Sequence, residues 1–399
     1  MTDVEIRTLA DDDLRTAQNL FMRSLHRPPT TDEQWELVGQ SFEPGRTWGA
    51  FAGDVLAGTA LSWGSRLRVP GGQLRGLAAV TRVGVRADHR RRGVLTGLMR
   101  AQLAEVAARG EVFAGLRATE PVIYGRFGYG VSTRLHTVTV ARDRAVFHPD
   151  LPATGEVRLL DTDRALEVLP GLYERIGRAR VGSMSRPDAL WRTSLGWPIG
   201  TGRDPRIAVH TGPDGDEGYA VFTARRPDGP GNATLEVDDL VGSSPAAVVA
   251  LWRFLLSIDL VDEVKVLSRP VDEPVEAMFV DQRAVREVVP MNDLWLRVVD
   301  VPEALAARSW GGPLTLEVRD ALLPDNTGVY RVSESGVERV DAEPELSVDV
   351  DVLAQLYFGR WSVSALAGVN RLRVANSEAA ARADAAFALP ATAWTGTFF

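Results

Sequence analysis

The sequence has 399 residues, more than one hydrophobic core usually supports, so we expect two or three domains. Hydrophobic residues make up 45% of it and charged residues 25%, a composition typical of a globular protein in water. The absence of cysteine excludes disulfides and thiolate chemistry, and a formal net charge of −8 argues against a general nucleic-acid binder while suiting a cationic substrate.

Neither a metal site nor an export signal is expected. The five histidines lie far apart along the chain, without the close pairing of sequence-local zinc motifs. The N-terminus has neither the basic nor the apolar segment of a signal peptide, and no run of about 18 apolar residues is present to span a membrane. We therefore predict a cytoplasmic protein without metal, membrane or nucleic-acid partners.

The N-terminal part of the chain alternates strand-like and helix-like patterns, which predicts an α/β fold. Strands are expected at residues 56–63 and 77–85. Apolar residues from Leu95 to Val106 recur at helical spacing, and a short apolar strand at 112–116 follows. The pattern predicts a strand–loop–helix–strand unit.

The same unit recurs later in the chain. Residues 233–241 read as a strand, Ser244 is a candidate N-cap for a helix that begins at Pro245, and 263–267 reads as the returning strand. The second connecting loop, Gly-Ser-Ser-Pro, has no positive charge and loses one amide donor to proline. If the first unit binds phosphate, we expect that the second does not.

The remaining residues form a third region. Domain boundaries are expected near 148–155 and 289–292, where proline, glycine or polar residues interrupt the periodic patterns. Beyond them we predict a strand at 314–318 and helices near 352–358 and 377–387.

A basic, glycine-containing loop joins strand and helix in the first unit. Free amides at a helix start point toward an anion, and the helix dipole adds roughly half a positive charge there. Arg91 and Arg92 can neutralise a diphosphate, and Gly93 lets the backbone approach it closely. On its own, a solvated basic loop is an equally good explanation of this stretch.

Two motifs carry a family resemblance. Val-Gly-Val at 83–85, followed by His-Arg-Arg-Arg-Gly-Val-Leu-Thr at 89–96, resembles the acetyl-CoA motif of the GNAT superfamily. The stretch TEPVIYGRFGYG at 119–130 looks like the signature of one branch, the Eis (enhanced intracellular survival) aminoglycoside acetyltransferases. The resemblance covers essentially the whole chain and implies an N-acetyltransferase with acetyl-CoA as co-substrate.

The resemblance also implies the architecture, an α/β (mixed α+β) fold with two GNAT-like domains followed by a sterol-carrier-protein-like domain. The third region matches through 314–320 and 324–328. The family further implies a homo-oligomer, a hexamer. The expected domains are a catalytic GNAT domain at 1–150, a degenerate GNAT-like domain at 151–290, and a sterol-carrier-protein-like domain with a catalytic C-terminus at 291–399.

By the same resemblance, the cofactor residues belong to three stretches. The first should offer main-chain hydrogen bonds to pantetheine and polarise the thioester carbonyl through a backbone amide, as an oxyanion hole does. The second should wrap the diphosphate, and the third should flank the cofactor. These residues are Val83, Gly84 and Val85; Arg91, Arg92, Gly93, Val94, Leu95 and Thr96; and Thr119 and Glu120.

Acetyl transfer needs a base because a lysine-like amine is mostly protonated at neutral pH. The family resemblance assigns that role to the C-terminal carboxylate, here that of Phe399. A terminal segment that merely frays is the alternative. Aromatic content argues for a docked tail, because Phe387, Trp394, Phe398 and Phe399 would each cost about 1.5–3 kcal/mol to leave in water.

Tyr124 is the candidate general acid. A phenol near pKa 10 stays protonated at neutral pH, and a thiol near 8.5 leaves readily, so a hydrogen bond to sulfur suffices. Tyr129 is the competing candidate, and a core role beside the Gly125 turn is the other explanation of Tyr124.

The acceptor is a small cationic amine by resemblance, of an aminoglycoside or another polyamine. Trp35, Glu36, Phe42 and Arg82 are candidates for its pocket, with ordinary core or surface roles as their alternative. Three other functions remain open: acetylation of lysine side chains of proteins, a lipid or acyl-chain carrier built on the third region, and an inert scaffold. The intact basic loop of the first unit argues against the scaffold.

Overall fold

The computed structural model describes residues 4–152, 154–200 and 204–399, with the side chains at 196–200 left aside. The strands are β1 (Val4–Thr8), β2 (Thr47–Ala52), β3 (Val55–Arg68), β4 (Leu74–Val85), β5 (Phe113–Leu116), β6 (Gly130–Val131), β7 (Arg134–Ala141), β8 (Glu156–Leu160), β9 (Arg206–Gly212), β10 (Gly215–Arg225), β11 (Ala233–Gly242), β12 (Val261–Arg269), β13 (Val285–Asn292), β14 (Trp295–Val298), β15 (Leu314–Arg319), β16 (Gly328–Ser333), β17 (Gly336–Arg339), β18 (Leu346–Asp349) and β19 (Arg373–Val374). The helices are α1 (Asp11–Ser24), α2 (Asp32–Val38), α3 (Val94–Ala108), α4 (Ala165–Ile176), α5 (Asp188–Gly200), α6 (Pro245–Ser257), α7 (Val301–Ala307), α8 (Val350–Tyr357), α9 (Val363–Gly368) and α10 (Ser377–Phe387). In the described part of the chain, no helix is long and apolar enough to cross a bilayer.

The chain divides into two compact units. The first unit comprises residues up to Thr133, Asp293–Pro390 and Phe398–Phe399, and the second comprises Arg134–Asn292 and Ala391–Thr397. Each unit therefore gathers segments that are distant in sequence.

The first unit contains a seven-stranded sheet in the order β1-β2-β3-β4-β5-β14-β6. Strands β4 and β5 are parallel and are joined through helix α3, whereas the other neighbours pair antiparallel. Helix α3 buries Met99 and Leu103 against Val80 and Leu116 of these two strands. This packing confirms the predicted strand–loop–helix–strand unit and fixes the loop before α3 at the end of β4.

The first unit also holds a five-stranded sheet in the order β17-β16-β15-β18-β19. Its helix α10 begins and ends at the predicted residues, with the Asn376 side chain capping the amide of Ala379. Tyr357 of α8 packs edge to face on Phe113 of β5, with ring centroids 5.3 Å apart. Several large side chains of this domain are buried, namely Leu316, Val318, Tyr330, Leu353, Tyr357 and Phe387.

The second unit contains a seven-stranded sheet in the order β13-β7-β12-β11-β10-β9-β8. Strands β11 and β12 are parallel and are joined through helix α6, whose Trp252 is fully buried in the core. The Ser244 hydroxyl accepts a hydrogen bond from the amide of Ala247 at 3.2 Å, and Pro245 is the first helical residue. The predicted second copy and its N-cap are confirmed.

Candidate active site

Strand β4 runs on beyond its pairing with β5. Leu77–Val80 pairs with Phe113–Leu116, but β4 continues to Val85. On its other side, the register with β3 shifts opposite Ala60, and Arg82 has φ of +50°. A positive φ is uncommon for a residue other than glycine and marks a β-bulge here. The main chain at Val83, Gly84 and Val85, predicted to hold pantetheine, therefore lies past the end of the β5 pairing.

The start of helix α3 has no protein cap among the described residues. Its N-cap is Gly93, with φ of +82°, and the first helical hydrogen bond runs from the amide of Gly97 to Gly93 O at 2.9 Å. The amides of Val94, Leu95 and Thr96 precede that bond and point out of the helix start. Three free amides and the positive end of the helix dipole make a binding site for an anion.

The arginines before this helix are exposed. Arg91 has φ of +60°, and neither Arg91 nor Arg92 forms an ion pair within the described residues. A Cβ atom added at Gly93 would meet nothing within 4 Å, so the space in front of the loop is open. Loop and helix together offer charge, amides and room for a diphosphate, as the resemblance implies.

One carboxylate in the same loop is already neutralised. Asp88 accepts a hydrogen bond from Arg86 Nη2 at 2.8 Å and lies 3.0 Å from His89 Nδ1. These hydrogen bonds, that from Arg86 first, hold the pKa of Asp88 well below its usual range. The charge of the following arginines is therefore left for an anion. This arrangement was not predicted from the sequence, although the Arg-x-Asp-His spacing suggests it.

Two buried tyrosines follow β5: Tyr124 lies between two short 3-10 turns, and Tyr129 follows the second turn. Tyr124 and Tyr129 are 7% and 1% exposed, and their rings meet edge to face with centroids 5.9 Å apart. Burial raises the pKa of Tyr124 to about 12 and that of Tyr129 further, so both phenols keep their protons at neutral pH. The hydroxyl of Tyr129 is fully shielded and meets no hydrogen-bond partner among the described residues. Of the two candidates for the general acid, Tyr124 is the more accessible.

Thr119 and Glu120 are exposed residues between β5 and the tyrosines. They lie in the segment that leaves the carboxyl end of β5, next to the point where β4 and β5 separate. The structure thus brings both predicted flanking residues to the same end of the sheet as the predicted pantetheine strand.

The last two residues of the chain belong to the first unit. The ring of Phe398 lies 5.0 Å from the guanidinium carbon of Arg117, the residue that follows β5. Arg117 also forms an ion pair with the buried Asp293. Phe399 is half-buried. The Phe398 ring therefore lies against Arg117 at the carboxyl end of β5, and Arg117 precedes Thr119 and Glu120 by two and three residues in the sequence.

The burial argument for the tail is correct for two aromatic residues and wrong for a third. Phe387 and Trp394 are 2% and 8% exposed, but Phe398 is 78% exposed. The Arg117 guanidinium covers one face of the Phe398 ring, and a cation–π contact of this kind offsets part of the exposure of an aromatic side chain to water. Apolar character alone did not reveal which ring the fold would leave outside.

Three of the four candidate acceptor residues come together around the bulge. Trp35 and Phe42 have ring centroids 5.7 Å apart, and the Arg82 guanidinium lies 4.5 Å from the Phe42 ring. Arg82 Nη2 donates to Ser41 Oγ at 2.7 Å, and burial lowers the pKa of Arg82 to about 9. Glu36 is exposed on the same helix as Trp35.

One member of this cluster, Trp63, was not predicted from the sequence. Trp63 lies 5.5 Å from the Arg82 guanidinium and donates its indole N–H to Ser41 O at 2.6 Å. Trp63 is on β3, the antiparallel neighbour of β4, so the pairing of the two predicted strands was the signal that pointed to it.

Family models match all three regions. An acetyltransferase (GNAT) domain matches residues 5–132, a second acetyltransferase (GNAT) domain matches 182–298, and a sterol carrier protein domain matches 301–396. The fold class predicted from the sequence is confirmed. The numerical boundaries near 150 and 290 stay predictions.

Relatives of known name match nearly the whole chain. The N-acetyltransferase Eis of Mycobacterium tuberculosis is 35% identical over 353 residues, which cover 85% of each chain. An uncharacterized N-acetyltransferase of Streptomyces coelicolor is 35% identical over 98% of each chain. The crystal structure of Eis1 from Mycobacterium abscessus superposes with a TM-score of 0.90 at 37% identity, covering all of both chains.

Proposed function

Because the chain belongs to the Eis family of GNAT N-acetyltransferases, we propose that it transfers acetyl from acetyl-CoA to a primary amine of an aminoglycoside or another polyamine. GNAT acetyltransferases use acetyl-CoA as co-substrate. The observation that carries the proposal is the uncapped start of α3 after the end of β4 that outlasts its pairing with β5. An extended thioester and its diphosphate need these two features next to each other.

In this proposal the cofactor residues divide by chemistry. Val83, Gly84 and Val85 hold the pantetheine arm through main-chain hydrogen bonds. The diphosphate is bound by Arg91, Arg92 and the amides at the start of α3, which belong to Gly93, Val94, Leu95 and Thr96. Thr119 and Glu120 flank the cofactor. The absence of an internal cap on α3 supports this division, because a bound anion would satisfy those amides.

The carboxylate of Phe399 is the proposed general base. A neutral amine is the nucleophile, so the ammonium form of the acceptor must lose a proton before or as it attacks. The new C–N bond forms, the proton passes to the carboxylate, and the C–S bond of the tetrahedral intermediate breaks. The location of Phe398 against Arg117, directly after β5, supports a terminus held near the thioester.

The phenol of Tyr124 is the proposed general acid. With a pKa raised to about 12, it shares its proton with the departing sulfur in a hydrogen bond without full transfer, so the sulfur, whose thiol titrates near 8.5, leaves as a thiolate and takes its proton from solvent afterwards. It stabilises the departing thiolate by donating a hydrogen bond. Tyr129 is too deeply buried to fill this role.

The acceptor pocket is proposed around Trp35, Phe42 and Arg82, with Glu36 at its exposed side. The Arg82 guanidinium already covers the Phe42 ring, so the attraction for an ammonium group comes from the exposed Glu36 carboxylate. The net charge of −8 adds a long-range attraction for polycations. A homohexamer remains the expected assembly, to be measured by sedimentation.

The experiment follows acetyl-CoA consumption with a panel of aminoglycosides and lysine-containing peptides, comparing the wild type with Tyr124→Phe and a chain lacking Phe399. Acetylation of an aminoglycoside that collapses in both variants, with acetyl-CoA affinity unchanged, is the expected result. A wild-type chain that binds no acetyl-CoA would contradict the proposal. If only the lysine-containing peptides are acetylated, the acceptor is a protein lysine and not an aminoglycoside.

A further inference from the structure

The second unit has a strand divergence of its own. Strand β11 pairs with β12 from Ala233 to Val237 and then continues to Gly242, just as β4 outlasts β5. Counted from the last paired valine, Asp239 and Leu240 correspond to Arg82 and Val83. In an active GNAT unit this is where the thioester cofactor would lie.

Protein groups occupy this divergence in the second unit. Arg269, the last residue of β12, is 3% exposed, and its Nη1 donates to the main-chain oxygen of Leu240. The same guanidinium lies 5.6 Å from the ring of Trp394 in the C-terminal tail, and the Trp394 indole donates to Ser268 Oγ at 3.2 Å. The tail therefore lies where β11 and β12 separate.

The tail also has specific backbone partners. The amide of Trp394 donates to Val181 O at 3.0 Å, and the amide of Thr392 donates to Asp272 Oδ2 at 3.1 Å. Arg180 Nε donates to Thr392 O at 2.8 Å. A segment that merely frays would not have its amides and carbonyls paired in this way.

Arg186 holds the end of the tail. Its Nη2 donates to Gly396 O at 2.7 Å and its Nε to Thr397 Oγ1 at 2.9 Å. The same guanidinium contacts Asp239 Oδ2 at 2.5 Å, and the Tyr219 hydroxyl also donates to that oxygen at 2.7 Å. A charge-assisted network of this kind is shorter and more directional than neutral contacts.

We propose that the second unit is a tail dock, formed by Arg180, Arg186, Asp239, Ser268, Arg269 and Asp272, in which Arg186 is the positioning residue for the Phe399 carboxylate. This inference rests on the proposed role of that carboxylate as the base. Thr397 is two residues from the terminus, so its Cα lies within about 8 Å of that of Phe399. Fixing Thr397 therefore limits how far the carboxylate can move.

The dock explains why a degenerate acetyltransferase unit is useful. Its strand divergence holds a segment of its own chain instead of a cofactor, and its helix start is closed by Ser244 and Pro245. Arg186 is buried and is held by an ion pair with Asp239, so its contacts with the tail depend on the fold of the second unit. In this proposal the unit contributes to the reaction by holding the chain at Thr397, two residues before the catalytic carboxylate.

The test combines a rate cycle with a measurement of the tail. Arg186→Gln is made in the wild type and in the chain lacking Phe399, with Arg158→Gln as the matched control. Arg158 is an exposed residue of β8 that pairs with Asp216 on the same unit at 2.7 Å. Backbone hydrogen exchange of the peptide that ends the chain is followed by mass spectrometry, beside kcat and the KM for acetyl-CoA.

The proposal expects Arg186→Gln to speed exchange at Thr392 and Trp394 and to lower kcat by about a hundredfold, with an unchanged KM for acetyl-CoA. In the chain lacking Phe399 the same substitution should have no further effect on kcat. Thr397→Val, which removes one acceptor and preserves volume, should lower kcat about fivefold and serves if Arg186→Gln fails to fold. Arg158→Gln should match the wild type.

Two results would overturn the inference without contradicting the role of the Phe399 carboxylate as the base. One is unchanged hydrogen exchange in both Arg186→Gln and Thr397→Val, and the other is faster exchange with full activity. A further loss of kcat in the truncated chain would assign Arg186 a merely structural role. If the chain lacking Phe399 were itself fully active, the base assignment would fail, and the positioning role with it.

Discussion

In the first unit β4 outlasts its pairing with β5 over residues 81–85, and in the second unit β11 outlasts its pairing with β12 over residues 238–242. The first divergence faces exposed arginines and an uncapped helix start, whereas the second is filled by Arg269 and Trp394. The comparison indicates that the same divergence of two parallel strands can hold a ligand or a segment of its own chain, depending on the side chains around it.

The segments that follow β5 and β12 also differ between the two units: the first is exposed and the second is paired within the protein. Glu-Pro-Val occurs at 120–122 in the first unit and at 273–275 in the second. Glu120 is exposed, but Glu273 is buried in an ion pair with Arg269 and accepts from the Trp252 indole at 3.2 Å. Two residues after the valine, the first unit has Tyr124 and the second has Ala277. The second unit therefore has no exposed glutamate at the position of Glu120 and no tyrosine at the position of Tyr124.

The largest expected effect comes from making the first loop resemble the second. Replacing Arg91 and Arg92 together by Gln removes two charged donors while preserving the amides at the start of α3. We expect the Kd for acetyl-CoA to rise about a hundredfold, because hydrogen bonds to charged groups contribute about 1.5–3 kcal/mol each and solvent screens this exposed pair. Isothermal titration at two salt concentrations measures this. A variant with wild-type affinity would contradict the role of the loop.

The phenol that only the first unit has should govern kcat. Tyr124→Phe removes the hydrogen bond to the departing thiolate, so we expect kcat to fall about a hundredfold with little change in the KM for acetyl-CoA. Since the pKa of Tyr124 is raised to about 12, the phenol stays protonated and produces no falling limb between pH 7 and 10. A falling limb near pH 10 that disappears in Tyr124→Phe would contradict this assignment.

A smaller effect is expected at the left-handed N-cap of α3. Gly93→Ala meets no steric obstacle, but its φ of +82° costs a residue with a Cβ atom about 1–2 kcal/mol. Either stability falls by that amount or the loop shifts and acetyl-CoA affinity drops about tenfold. Thermal unfolding and titration of the same variant separate the two. If the variant shows neither a loss of stability nor a loss of affinity, the left-handed conformation at Gly93 is not required by the loop.

The smallest effect is expected at the capped helix of the second unit. Ser244→Ala removes the side-chain cap of α6 and should lower the free energy of unfolding by about 1 kcal/mol. Denaturant unfolding detects this change, and acetyl-CoA affinity should remain that of the wild type. Loss of acetyl-CoA affinity in Ser244→Ala would show that the second helix start also serves the cofactor.

The sequence predicted the strand–loop–helix–strand core of each unit, because those strands and helices have strong periodicity and helix α6 has a Ser-Pro start. It left most of the other strands unassigned. It did not predict β14, a four-residue strand that pairs with β5 from far along the chain. Short strands with distant partners carry little local signal. The positive φ of Arg82 was likewise invisible, since no glycine marks the bulge.

The candidate site divides in the same way. The cofactor loop and Tyr124 were found because they occupy contiguous motifs. The aromatic cluster with Trp63 and the dock around Arg186 depend on contacts between residues far apart in sequence, which composition and spacing do not encode. The exposure of Phe398 was mispredicted because an arginine on another segment covers its ring.

The most direct test of the difference between the two units is the stoichiometry of acetyl-CoA binding by isothermal titration. The account predicts one acetyl-CoA per chain, abolished or strongly weakened when Arg91 and Arg92 are replaced by Gln. Two molecules per chain, or one that persists unweakened in that variant, would contradict it.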